Sequence, residues 1–63
     1  MIKQYQMFTL KQDLNPAITA GMEGVILEIL DEDTFEVEFV KPDGSNYEYH
    51  GQFTFTVHSA LFL

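Results

Sequence analysis

Carboxylates are the side chains best supplied for chemistry in this chain. Ten acidic residues stand against three lysines and no arginine, a formal net charge of −7. Glu36 and Glu38 are spaced so that an extended backbone projects both from one face. Glu28 and Glu48 fall in flanking segments that can bring them to the same side. A carboxylate pair can transfer protons in acid–base chemistry. It then needs a pocket that sets its pKa values apart, and an open convex sheet face offers none. Binding suits these residues better: a row of like charges either docks a basic protein or forms the solvated half of half-buried strands. Both readings are open. Ile26, Leu30 and Val40 belong to the same face by parity. They would contact a partner or lie under the neighbouring segment 12–20.

The other reactive types do not assemble into a site. Asp31-Glu32-Asp33 lacks the alternating oxygen ligands, glycine and later bidentate glutamate of a calcium loop. His50 and His58 match no zinc spacing, and there is no cysteine to complete one. Ser45 and Ser59 sit in no nucleophile elbow, and no glycine-rich phosphate loop is present. We therefore expect no catalytic residue, cofactor or metal. The acidic balance repels nucleic acid and anionic membrane and favours a basic protein partner.

The elements that must position these residues are short. Sixty-three residues allow one domain, spanning 1–63. Without cysteine it has no disulfide, which suits a reducing cytoplasmic setting. Its start lacks a signal-type apolar region, and no apolar run approaches a membrane span. A hydrophobic content of 46%, with six Phe and three Tyr, argues for a dense core.

Turn residues divide the chain into about five extended runs. The first is 6–11, with Phe8 and Leu10 on one face. Segment 12–20 contains Pro16 and reads as a long packed loop. Gly21 and Gly24 bracket the approach to strand 25–30, where Val25, Leu27 and Ile29 share the inner face and Ile26, Glu28 and Leu30 the outer. Strand 35–40 alternates, with Phe35, Val37 and Phe39 inward. Lys41-Pro42-Asp43-Gly44 predicts a type I turn with a G1 bulge. Run 46–57 alternates over more residues than most strands hold, with Gly51 as its bend. If Pro42-Asp43-Gly44 is the loop, Phe39 faces Tyr47, Val37 faces Tyr49 and Phe35 covers Gly51. On the outer face Glu38 then meets Glu48, and Glu36 meets His50. A short helical turn at 58–60 would precede a terminal strand 61–63 closing the sheet against the first. The pattern predicts an all-β, five-stranded SH3-like barrel with one long loop and a short 3-10 turn near the C-terminus.

One family resemblance rests on Asp13-Leu14, Gly21-Met22-Glu23-Gly24-Val25, Phe35-Glu36-Val37-Glu38-Phe39-Val40 and Asp43-Gly44. Over residues 5 to 57 the chain resembles a family of roughly sixty-residue bacterial proteins of unknown function, whose expected fold is an SH3-like, KOW-related barrel. Members are often encoded beside a toxin-like protein. The resemblance implies an antitoxin or immunity protein that neutralises a basic toxin. The alternative is an SH3-like accessory subunit docking onto a larger complex. In either case the expected contact residues are Ile26, Glu28, Leu30, Glu36, Glu38 and Glu48, on a monomer or weak homodimer.

Counterion release requires a cationic footprint that three lysines hardly make. A gel shift at near-physiological salt should show no retardation of duplex DNA or RNA, and salt-sensitive micromolar binding would contradict the charge argument.

Overall fold

The computed structural model describes residues 2–63. Strands β1 (Met7–Thr9), β2 (Glu23–Ile29), β3 (Thr34–Val40) and β4 (Thr54–His58) form one antiparallel sheet in the order β1-β2-β3-β4. A 3-10 turn, Ser59–Leu61, follows β4 directly. The all-β architecture and the late 3-10 turn agree with the sequence pattern. Among the described residues no helix is long and apolar enough to cross a membrane.

Among the described residues the sheet is open, with four strands rather than the five of the expected barrel. Residues 61–63 do not form a closing strand. The Phe62 and Leu63 amides turn back to the Ser59 carbonyl. Phe62 enters the core, its ring 4.4 Å from Phe8 and 5.7 Å from Phe35. The tie between the C-terminal segment and the chain after β1 is Lys11 N–H donating to the Leu61 carbonyl at 2.7 Å. Aromatic burial has replaced strand pairing, because Phe62 gains more from the core than from an edge position.

β2 carries an irregularity that the sequence reading did not place. Ile26 pairs with Val37, but the next pair is Glu28 with Glu36, so Leu27 is an extra residue in a β-bulge. The bulge reverses the face assignment before it. Ile26 is inside and fully buried, while Val25 is outside opposite Glu38. Ile26 was expected on the acidic outer face and instead belongs to the core. The physical reason is parity: Ile26 and Glu28 would share a face in a regular strand, and burying an unpaired carboxylate costs several kcal/mol. The chain end supports the bulge. Gln4 Nε2 donates to the Leu27 carbonyl at 3.1 Å, and Tyr5 N–H donates to Ile26 at 2.6 Å.

Run 46–57 is not one strand. Val40 bridges Asn46 and Tyr47 N–H donates to Phe39, as the Pro42-Asp43-Gly44 loop requires, with Gly44 at φ 91°. Asp43 Oδ1 accepts from the Ser45 hydroxyl and then its amide, which holds its carboxyl below the ordinary value. Beyond Tyr47 the chain leaves β3. Tyr49 and Gln52 exchange backbone hydrogen bonds around His50 and Gly51, both at positive φ. That pair of left-handed residues makes a type I′ reversal. Pairing with β3 resumes at Glu38–Thr54 and continues through Val37–Phe55, Glu36–Thr56 and Phe35–Val57. The expected pairs Val37–Tyr49, Phe35–Gly51, Glu38–Glu48 and Glu36–His50 are therefore replaced. Because the looped-out stretch 48–53 has an even length, the period-2 pattern runs through it unbroken and hides it.

Segment 12–20 packs as expected. Asn15 Oδ1 accepts from the Ala17 and Ile18 amides at 2.9 and 2.8 Å, folding the Pro16 corner. The corner delivers Ile18 to the core, fully buried. β1 approaches β2 closely because Gly24 has no side chain. A Cβ there would lie 2.5 Å from Phe8 Cζ and 2.9 Å from the Glu38 carbonyl oxygen. An aromatic does cover a cross-strand glycine, but the pair is Phe8 over Gly24, not Phe35 over Gly51.

Gly24→Ala should destabilise the fold by about 2 kcal/mol through overpacking. Adding Phe8→Leu should restore only part of that, since the Glu38 carbonyl cannot yield. Urea melts of the two variants check this, and a neutral Gly24→Ala would refute the close approach.

Candidate functional site

The outer face of β2 and β3 is built in rows. Glu23 lies opposite Val40, Val25 opposite Glu38, and Glu28 opposite Glu36. In two rows the valine dilutes the charge. In the third the bulge sets carboxylate against carboxylate: without it Leu27 would oppose Glu36. Like charges directly opposite destabilise an antiparallel pair by a few tenths to about 1 kcal/mol. None of the lysines lies in a strand. Lys41, just past β3, sits with Nζ 5.3 Å from the centre of the Tyr47 ring.

Neutral neighbours hold two of these carboxylates in place. Thr56 Oγ donates to Glu36 Oε1 at 2.6 Å, and Asn46 Nδ2 donates to Glu38 Oε2. Glu36 and Glu38 are half-buried and oriented, while Glu28 is exposed. The structure thus brings Glu28, Glu36 and Glu38 together. Glu48 is exposed on the looped-out stretch, and its expected partner Glu38 pairs with Thr54 instead. Leu30 is exposed just past the end of β2. Glu23 joins the face, which parity counted from Glu28 would have missed because the bulge intervenes.

The turn Asp31-Glu32-Asp33 is held by its own groups. Asp33 N–H donates to Asp31 Oδ1 at 2.9 Å. That bond, followed by the Thr34 hydroxyl, keeps the Asp31 carboxyl below its ordinary value. Among the described residues, no cluster of three His, Cys, Asp or Glu side chains could hold a metal.

A groove of about 710 Å³ runs beside β4. Leu14 and Asn15 of the long loop line it, with Tyr49 and Phe53 of the looped-out stretch, Thr56 and Glu36. Phe53 is 52% exposed. No residue reading of the sequence marked this groove. The signal was the His50-Gly51 pair, a reversal inside an otherwise alternating run.

No known family profile, curated protein or solved structure matches this chain. Its functional reading therefore rests on the chain's own geometry and on the sequence resemblance.

Glu28→Lys should stabilise the fold by about 0.5 kcal/mol, by turning the Glu28–Glu36 row into an ion pair. The gain should shrink in high salt. Thermal melts at low and high ionic strength check both points, and a salt-independent effect would deny the repulsion.

Proposed function

We propose that this chain is a small protein-binding module of SH3-like design that docks a basic protein on the outer face of β2 and β3. The observation that carries the proposal is the Glu28–Glu36 row beside Glu38, a like-charge arrangement with no lysine in any strand. A sheet serving only as scaffold lowers its energy by alternating signs across strands. A basic partner recovers that cost on binding, and the net charge of −7 speeds the encounter. The element order supports the SH3-like part: a short strand, a long packed loop, two longer strands, a tight turn, a strand and a 3-10 turn. The resemblance to proteins encoded beside toxin-like neighbours makes the partner a basic toxin and this chain its antitoxin or immunity protein. A cysteine-free domain of this size suits the cytoplasm, where such pairs would meet.

A second reading has its own observation. Ile2, Ile29, Phe35 and Leu63, with Asp31 and Glu32 at its border, line a largely apolar cleft of about 440 Å³, with Ile29 and Leu63 exposed. An accessory subunit seated in a larger complex would cover such a patch.

The discriminating variant is Glu36→Gln with Glu38→Gln, which removes charge and keeps the oxygens that accept from Thr56 and Asn46. It should melt close to the parent. It should bind the basic protein recovered on the immobilised parent more weakly by roughly 1–3 kcal/mol, measured by calorimetry. Equal affinity would move the contact to the apolar cleft.

A further inference from the structure

The free side of β4 continues into the groove, and its backbone is unsatisfied there. The Thr34 carbonyl accepts from the Leu30 amide on the β2 side. Peptide groups alternate direction along a strand, so Phe35 and Val37 turn theirs to β4 and Glu36 turns its to β2. On β4 the partners of Phe35 and Val37 are Val57 and Phe55. Thr54 and Thr56, between and beside them, therefore aim N–H and C=O away from the sheet. Among the described residues neither has a backbone partner on that side. Such an edge is a template for another strand unless charge, proline, a bulge or a covering segment blocks it. β4 contains no proline or charged carboxylate or ammonium group. What stands beside it is a groove walled by Leu14 and by Phe53, with Glu36 reaching in over Thr56.

We propose that an extended segment of the basic partner adds to β4 as a further strand, seated in this groove. The inference rests on the docking reading above and specifies how the partner engages. Sheet parity determines what the segment must look like. Side chains opposite Thr54 and Thr56 project on the Glu36 side, and those opposite Phe55 project on the core side. The matching segment alternates basic and apolar residues, the basic ones reaching Glu36 and the apolar ones packing near Leu14 and Phe53. Charge selects against a second copy of this chain, because two chains of net charge −7 would bring their carboxylates together. Main-chain bonds supply affinity and the alternate pockets supply selectivity, as in other strand-addition complexes.

The test uses three short peptides on the full chain: one alternating lysine with isoleucine, one with the same residues in two blocks, and one alternating peptide N-methylated on the amides that would face Thr54 and Thr56. Binding is read by fluorescence anisotropy, and Thr54 and Thr56 amide protection by NMR hydrogen exchange. Strand addition predicts that the alternating peptide binds and protects both amides. It predicts that N-methylation weakens binding about tenfold or more, the loss of one or two backbone bonds. Equal binding of all three peptides, with shifts confined to Glu28, Glu36 and Glu38, would overturn strand addition and leave the acidic docking face standing. Absence of binding by any peptide, in a protein that still binds its basic partner, would also overturn strand addition alone. Binding of the alternating peptide that protects both amides but is unchanged by the Glu36→Gln, Glu38→Gln pair would support strand addition and overturn the acidic docking face.

Discussion

At Leu27 one extra residue enters β2, and the faces of the strand on either side of it follow from that insertion. Ile26 and Glu28 have the same parity, yet one is in the core and the other faces water. A regular strand would expose Ile26 or bury Glu28. The extra residue resolves the conflict at the cost of one ladder position, and Gln4 answers the carbonyl left over. From that residue onward β2 presents Glu28 to Glu36 and Ile29 to Phe35. The acidic row and the hydrophobic core are two results of one local irregularity.

Closure of the core follows a different route from closure of a barrel. The open sheet is covered by residues from outside its strands. Ile18 arrives on the Asn15 corner, Leu10 from the chain after β1, and Phe62 from beyond the 3-10 turn. Phe62 stacks on Phe8, and Phe8 lies over Gly24, so Phe62 and the β1–β2 approach are parts of one aromatic stack. Removing a ring from such a stack costs roughly 3–5 kcal/mol in general, a large share of what a domain this small can hold. Side-chain burial here does the work that hydrogen-bonded closure does in a full barrel.

The outer face and the β4 edge are adjacent and share Glu36. Thr56 orients that carboxylate by its hydroxyl and sits on the free edge by its backbone. Charge on the face and unpaired amides at the edge are each ordinary alone. In the proposed complex the two features divide the recognition, the carboxylates meeting the charge of the segment and the edge amides its extended backbone.

Much of this was legible in the residues. Strand 35–40 alternates so regularly that its inward Phe35, Val37 and Phe39 could be named directly, and Pro42-Asp43-Gly44 announced its turn, since few residues accept the φ that Gly44 adopts. The acidic balance and the grouping of Glu28, Glu36 and Glu38 were equally readable. Three things were decided only in the tertiary structure. Val25 to Leu30 is apolar on both parities apart from Glu28, so periodicity could not choose which residue the core takes; packing against Val37 chose Ile26. The looped-out stretch 48–53 preserves alternation, so no pattern of period two can reveal it; the left-handed pair His50-Gly51 decided it. Phe62 could serve a closing strand or the core, and the space beside Phe8 and Phe35 decided for the core. Sequence determines local preference and parity, whereas register, bulges and the competition for a small core depend on contacts between residues far apart in the chain.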